Sequence, residues 1–330
     1  MPKVLVSDSL APQGLEILEN APGIEVDYRP GIDPGDLLEA IRDTHGLVIR
    51  SGTKVTADVI AAAPELAVIG RAGIGVDNVD VPAATERGIV VMNTPGGNNV
   101  TTGEHALALI VALARHIPQA TASMKAGKWD KKRFMGMELF GRTLGVVGLG
   151  NIGRIVADRA RGLGMKVVGH DPFLTDAAAA KLDVERVSFD DLLARADIIT
   201  VHVPRTKETA GMLGREAFQK TKPGVLVVNA ARGGIIDETA LLEALDDGRV
   251  GGAGLDVFEV EPPPADHPLV NHENVICTPH LGASTEQAQM NVAIAVAEQV
   301  RDFLLQDVID NAINVPSISR ESLGEMRPYL

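Results

Sequence analysis

From Lys3 to Asn93, short apolar runs alternate with stretches of helical periodicity: KVLVSD, IEVDY, GLVIR, AVIGRA and IVVMN are separated by segments such as PGDLLEAIRD and TADVIAAAPEL. A brief, nearly continuous run of Val, Ile and Leu is what a strand buried on both faces requires, and its alternation with helices gives a parallel sheet covered on both sides. A second series follows LGVV, with strands expected at MKVVGHD, IITVHVP, VLVVNAA, AGLDVF and NVICTP. The chain's 330 residues exceed what one core comfortably fills, so two doubly wound parallel-sheet α/β domains are expected.

Composition narrows the class. With 45% apolar and 23% charged residues, and 34 glycines, the chain is folded and rich in tight turns. No apolar run approaches the ~20 residues that span a bilayer, and the chain opens on a strand instead of a signal core, so a cytoplasmic location is expected. Cys277 stands alone, which permits no internal disulfide and makes a metal cage unexpected. A net charge of −13 argues against nucleic acid and against an anionic membrane as partners. It does not exclude a small anion, because charge acts over only ~8 Å at physiological salt and a few local arginines govern a cleft.

The stretch from about Ser284 to Leu305 reads as a long helix, and INVPSI after it leaves no room to begin another domain. It is expected to pack on the first series. The first domain is then discontinuous, residues 1–98 with 287–330, and residues 99–286 are inserted. The crossings fall near TPGGNNV and LGAST, whose small residues suit a hinge as well as they suit plain turns. In VTTGEHALALIVALARHIP, Thr101 and Glu104 suggest a capping box and Pro118 a helix end. That helix is apolar on nearly every face, as expected either for a central domain helix or for one lying against a second subunit.

At the head of the second series, Gly148, Gly150 and Gly153 have the spacing G-x-G-x-x-G. The spacing alone is weak. Its context, a strand before, the helix IGRIVADRARGLG after, and Asp171 closing the next strand, is that of a dinucleotide site. The glycines let a pyrophosphate approach backbone N–H groups at a helix N-terminus, and Asp171 can hold the ribose hydroxyls. No basic residue immediately follows Asp171, so NAD is expected in preference to NADP.

Hydride chemistry needs a group that exchanges the hydroxyl proton, and histidine is suited to it near neutrality. Of eight histidines, His45, His105, His116, His170, His267 and His272 show no partner in the sequence, and His202 ends a strand. His280 follows a strand of the second domain, at the edge where α/β proteins bind ligands. Arg232 and either Glu259 or Glu261 reach the same edge. An arginine fork can hold a carboxylate, and a glutamate beside an imidazole fixes its tautomer and favours its charged form.

In order and spacing, GRAGIGVDNVD, GLGNIG, NAARGGIIDE, LDVFEVEPP and PHLGAST resemble the D-isomer-specific 2-hydroxyacid dehydrogenases. The resemblance extends over nearly the whole chain, through VLVSDSL, IRSGTKVTADVI and RHIPQATASMKAGKW. It implies a Rossmann-type nucleotide domain inserted into a flavodoxin-like substrate domain, with the active site between them and domain closure excluding water. It implies Arg232, Glu261 and His280 as catalytic residues, and so selects Glu261 over Glu259. It places Gly148, Gly150, Asn151, Ile152 and Gly153 at the pyrophosphate of NAD, Asp171 at the adenosine ribose, and Ala230, Ala231, Arg232, Asp256, His280, Gly282 and Ala283 around the nicotinamide.

Within the family the match is closest to members that act on a phosphorylated 2-hydroxy acid in serine synthesis. Arg50, Lys54 and Arg71 then receive the phosphate, and backbone N–H groups of Gly73, Ile74 and Gly75 the carboxylate. Ile74 stands where a relative has threonine, which alters one cofactor contact. Members acting on unphosphorylated acids share the triad but have no use for three cations, and a non-enzymatic NAD-sensing corepressor would need a partner groove that the sequence does not display. A homodimer or homotetramer is expected. Many members carry further C-terminal domains that bind serine, and SLGEMRPYL looks like the entrance to such protein, so serine feedback is not expected of these 330 residues.

Overall fold

A computed structural model of the chain describes residues 1–316. Residues 317–330, with SLGEMRPYL and the end of the expected substrate domain, lie outside the described residues. The chain forms two compact units, Met1–Asn98 with the chain from Ala283 onward, and Asn99–Gly282.

The first unit is built on β1 (Lys3–Val6), β2 (Glu25–Tyr28), β3 (Gly46–Ile49), β4 (Val68–Arg71) and β5 (Val90–Asn93), all parallel, in the order β2-β1-β3-β4-β5. This is the flavodoxin-like order. The helix Glu286–Gln306 belongs here: Thr285 caps it by accepting from the Ala288 N–H, and its buried Val292, Val296 and Val300 join the core made by β1, β3, β4 and β5. Each such valine contributes roughly 1.5–3 kcal/mol. Glycines let the helix lie close. A Cβ on Gly70 would stand 2.6 Å from Val300 Cγ2, and one on Gly14, in the helix Pro12–Glu19, 2.5 Å from the Ala293 carbonyl oxygen. The first unit resumes at Ala283, four residues before the expected 287, because the Leu281 and Gly282 N–H groups are held by Asp256 in the second unit whereas Thr285 already caps the first unit's helix.

The second unit contains β6 (Thr143–Val147), β7 (Lys166–His170), β8 (Glu185–Arg186), β9 (Ile198–Val201), β10 (Val225–Asn229), β11 (Val250–Leu255) and β12 (Val275–Cys277), in the order β12-β11-β10-β9-β6-β7-β8. The order reverses between β9 and β6, the switch point at which doubly wound sheets bind nucleotides. β8 is absent from the sequence reading, since two exposed charged residues carry no strand pattern. β11 begins before AGLDVF, at a glycine-rich segment that reads as a turn. Those glycines serve packing: a Cβ on Gly252 would stand 3.0 Å from Leu113 Cδ1, and one on Gly254 3.4 Å from Leu109 Cβ.

Leu109 and Leu113 lie on the helix Asn99–Ala114, where the structure corrects two expectations. It begins two residues before Thr101, so Thr101 and Glu104 are not its capping box. It ends before Pro118, which instead occupies the first turn of the next helix, Ile117–Lys125, after a left-handed turn at His116. Ala106, Leu109, Ile110 and Leu113 are buried within the unit, and Gly103 faces Ile155 of the helix Asn151–Gly162. Its apolar character is that of a central domain helix, with only Val100, Glu104 and Ala108 forming an exposed stripe. Among the described residues no helix is long and apolar enough to cross a membrane.

Candidate active site

One row of paired residues crosses the second sheet, Cys277, Leu255, Asn229, Val201, Val147 and His170. The next residue of each strand, Thr278, Asp256, Ala230, His202, Gly148 and Asp171, therefore leaves at the carboxyl edge, where ligands of open α/β sheets bind.

At the Gly148 turn φ is +88°, and a Cβ would stand 2.6 Å from the His202 carbonyl oxygen, so only glycine fits. A Cβ on Gly153 would collide with the Gly148 oxygen, and its absence lets the helix of Asn151 and Ile152 begin against the turn. Gly150, at the N-cap, would point a Cβ into open space. A turn with glycine on both sides of the buried Leu149, leading into a helix N-terminus, fits the pyrophosphate of NAD. Asp171 is fixed beside it: Oδ2 accepts from the Leu149 N–H at 2.9 Å and Oδ1 from the Phe173 N–H at 2.9 Å. His202 bonds Thr200 Oγ1 through Nε2 at 3.0 Å, and burial pushes its pKa down to about 4, so it stays neutral.

After β10, Asn229 shapes the turn that presents Arg232. Its Oδ1 accepts from the Ala231 N–H at 3.0 Å and its Nδ2 donates to the Arg232 oxygen at 2.8 Å. Ala230 and Ala231 are buried, and Arg232 Nη1 donates to the Ala231 oxygen at 2.6 Å. A Cβ on Gly233 would collide with the Phe258 oxygen, so the Arg232 loop rests directly on the loop bearing Glu261. Glu261, before a cis peptide to Pro262, accepts from the Phe258 N–H at 3.1 Å through Oε1, and its Oε2 lies 2.7 Å from His280 Nδ1. The Glu259 backbone N–H donates to Glu238 Oε1 at 2.7 Å, and Glu238 Oε2 pairs with His267 Nε2 at 3.1 Å. Partial burial pushes the Glu261 carboxyl up, but the His280 and Phe258 donors outweigh it and hold the group below the usual glutamate range. An ionised carboxylate on Nδ1 leaves His280 Nε2 to give or take a proton.

Asp256, expected beside the cofactor, has a side chain that is 0% exposed, with both oxygens committed inside the protein. Oδ1 accepts from the Thr278 hydroxyl at 2.6 Å and the Leu281 N–H at 2.7 Å, and Oδ2 from the Gly282 N–H at 2.8 Å. The His280 N–H donates to its carbonyl oxygen at 2.9 Å. Asp256 thus shapes, from beneath, the turn in which His280 takes a left-handed φ of 54°. Burial raises its pKa, but the donors, His105 first, leave it below the usual aspartate range. His105, Thr278 and Asn229 escaped the sequence reading. His105 could have been found, because it stands four residues before Leu109 on the helix's inward stripe.

The substrate-site candidates lie in the first unit, at the carboxyl edge of its sheet, where Ile49 pairs with Arg71. The loop from Arg50 to exposed Lys54 is held by Asp8, whose Oδ2 accepts from the Arg50 and Thr53 N–H groups at 2.5 and 3.1 Å. Asn78 Nδ2 donates to the Arg50 and Thr53 oxygens at 2.7 and 2.6 Å. Gly73 leaves the expected carboxylate donors, since its N–H donates to Thr94 Oγ1 at 2.7 Å, so the expected set reduces to Ile74 and Gly75. Ala283 is the first residue of the first unit's second segment, directly after Gly282 of the second unit.

A family model described as D-isomer specific 2-hydroxyacid dehydrogenase, NAD binding domain, matches residues 107–282. The chain is 50% identical over 328 residues to the D-3-phosphoglycerate dehydrogenase of Archaeoglobus fulgidus, covering 99% of this chain and 62% of that protein. The chain therefore spans less than two thirds of that relative's length. Among solved structures, it is similar to the TT0316 protein of Thermus thermophilus, with a TM-score of 0.84 and 37% identity over 92% of this chain and 96% of that one. A glyoxylate reductase from Paecilomyes thermophila matches with a TM-score of 0.86 and 30% identity over 94% of this chain and 98% of that one. The chain belongs to the D-isomer-specific 2-hydroxyacid dehydrogenases and carries their NAD binding domain.

Proposed function

We propose that the protein is an NAD-dependent D-3-phosphoglycerate dehydrogenase, interconverting 3-phosphoglycerate and 3-phosphohydroxypyruvate in serine synthesis. The substrate class is carried by the 50% identity, over nearly the whole chain, to enzymes of that name. Arg71 at the end of β4, Arg50 just after the adjoining β3 and Lys54 in the loop that follows support it, because three cations at one sheet edge suit a phosphate and serve no purpose for an uncharged substrate end.

Bound NAD supplies the hydride acceptor at C2 of the hydroxy acid. Around it, Gly148, Gly150, Asn151, Ile152 and Gly153 hold the pyrophosphate, and Asp171 the adenosine ribose. Arg232 orients the substrate carboxylate and polarises the carbonyl in reduction. His280 Nε2 takes the C2 hydroxyl proton in oxidation and returns it in reduction, and the Glu261 carboxylate, 2.7 Å from Nδ1, stabilises the imidazolium between. Ile74 and Gly75 offer N–H groups to the carboxylate. The reading extends to a cytoplasmic location and to a homodimer or homotetramer; the exposed apolar side chains Ile117, Met124, Trp129 and Met135 support self-association, which sedimentation analysis checks.

The test is NADH oxidation with 3-phosphohydroxypyruvate, hydroxypyruvate, glyoxylate and pyruvate, each over a concentration series. A clear preference in kcat/KM for the phosphorylated acid is expected. Equal or better rates with unphosphorylated acids would overturn the substrate while leaving the triad, and no turnover despite NADH binding would point to an NAD-sensing corepressor.

A further inference from the structure

The left-handed turn of His280 is held by Asp256, and Asp256 is in turn gripped from a distant part of the chain. His105, on the helix Asn99–Ala114, sets its Nε2 3.1 Å from Asp256 Oδ1 and 3.0 Å from Thr278 Oγ1. The protons can be assigned. The Thr278 hydroxyl lies 2.6 Å from Asp256 Oδ1, and an ionised carboxylate has none to give, so the hydroxyl hydrogen points to Asp256. Towards His105 the Thr278 oxygen can therefore only accept, and His105 Nε2 carries the proton, shared between both oxygens.

We propose that His105 is a positioning residue for His280: its Nε2–H locks Asp256 and Thr278, which hold the turn from which His280 faces Glu261. The elements are independent in sequence. Asp256 ends one strand, Thr278 the next, and His105 comes from the helix packed across β11. The carboxylate also gathers the Leu281 and Gly282 N–H groups, so its orientation sets the backbone immediately after His280. Were position 105 only a packing site, an apolar side chain would serve it, as Leu109 and Leu113 serve the next two turns of the same stripe. His105 reaches no reacting atom on this reading. It acts through Asp256, as an orienting partner acts on a reactive imidazole.

The inference rests on the proposed dehydrogenase activity, and the test separates the two. The wild-type protein is compared with His105→Leu, which keeps bulk without the donor, and His105→Gln, which keeps an N–H donor. Each is assayed with whichever 2-oxo acid the wild type prefers. In His105→Leu, kcat is expected to fall roughly ten-fold or more while KM and NADH affinity stay within about two-fold, and His105→Gln to recover most of the loss. Amide exchange at Leu281 and Gly282 is expected to quicken in His105→Leu and return in His105→Gln. Unchanged kcat and exchange in His105→Leu would overturn the proposal. So would a joint loss of kcat, NADH affinity and melting temperature in both variants, which describes a merely structural residue. If no 2-oxo acid turns over, the dehydrogenase reading fails, and the exchange pattern alone decides for or against His105.

Discussion

Glu261 Oε2 lies 2.7 Å from His280 Nδ1, although the two residues leave different strands of the sheet. The imidazole is thereby held with Nε2 free of this contact. His280→Ala is expected to lower kcat by at least ~10²-fold, the usual contribution of a placed acid–base, while NADH binding by fluorescence stays within about two-fold. Turnover near the wild-type level would remove His280 from the chemistry.

Glu261 is held below the usual glutamate range, so its carboxylate stays ionised near neutral pH beside His280 Nδ1. Glu261→Gln keeps the shape and removes the charge that supports the imidazole while it carries the transferred proton. It is expected to lower kcat by roughly ten-fold or more while NADH affinity stays within about two-fold. A kcat near the wild-type level would show that the carboxylate does not assist His280 in solution.

Much of this arrangement is legible in the sequence, and the remainder has physical reasons for staying hidden. Buried parallel strands announce themselves as apolar runs, which is why β1, β3 to β7, β9, β10 and β12 can be read directly, whereas the edge strand β2, with no buried residue, is marked only by Val26 and Tyr28. β8 cannot, having two exposed residues, and the start of β11 is disguised by glycines needed for helix packing. Arg232, Glu261 and His280 each stand just past a strand, so their type and place draw notice. Their mutual distance does not, because it depends on Gly233 meeting Phe258 and on Asp256 folding the turn after Thr278. His105 is the clearest omission. Its inward place on the helix, four residues before Leu109, is legible, but its partners are 151 and 173 residues away and no local pattern encodes which residues it meets.

Asp171 gives a prediction on cofactor choice. Its carboxylate is tied to the Leu149 and Phe173 N–H groups beside the glycine turn, where a ribose 2′-phosphate would meet a fixed negative charge. Asp171→Ala should raise the NADP-to-NAD ratio of kcat/KM by roughly ten-fold, about 1.4 kcal/mol. An unaltered ratio would place the discrimination elsewhere.

In the first unit Gly73 and Arg71 are matched. Gly73 has φ of +137°, and a Cβ there would collide with Arg71 Nη1. Gly73→Ala must therefore push the guanidinium aside, besides straining the backbone by roughly 1–2 kcal/mol. If Arg71 receives a phosphate, KM for 3-phosphohydroxypyruvate should rise about ten-fold with NADH affinity unchanged. Equal KM in variant and wild type would exclude Arg71 from the substrate.

His202 predicts how stability responds to acid. Burial lowers its pKa from 6.5 to about 4, so the folded chain keeps the imidazole neutral while the unfolded chain protonates it below about 6.5. For a group depressed in this way the stabilisation is complete above the unfolded value and is withdrawn as pH falls towards the folded one. The shift corresponds to at most about 3 kcal/mol, lost between pH 6.5 and 4. Carboxylates with lowered values, such as Glu261, release their share only at more acidic pH, and a variant that keeps the other seven histidines cancels their part, so the difference between the two proteins over about 6.5 to 5 isolates His202. Denaturant unfolding across that interval should show the wild type losing up to ~1.4 kcal/mol per pH unit more than His202→Gln, which has no imidazole to charge. Parallel curves for the two proteins would mean that His202 is hydrated in the folded state and that burial does not hold it neutral.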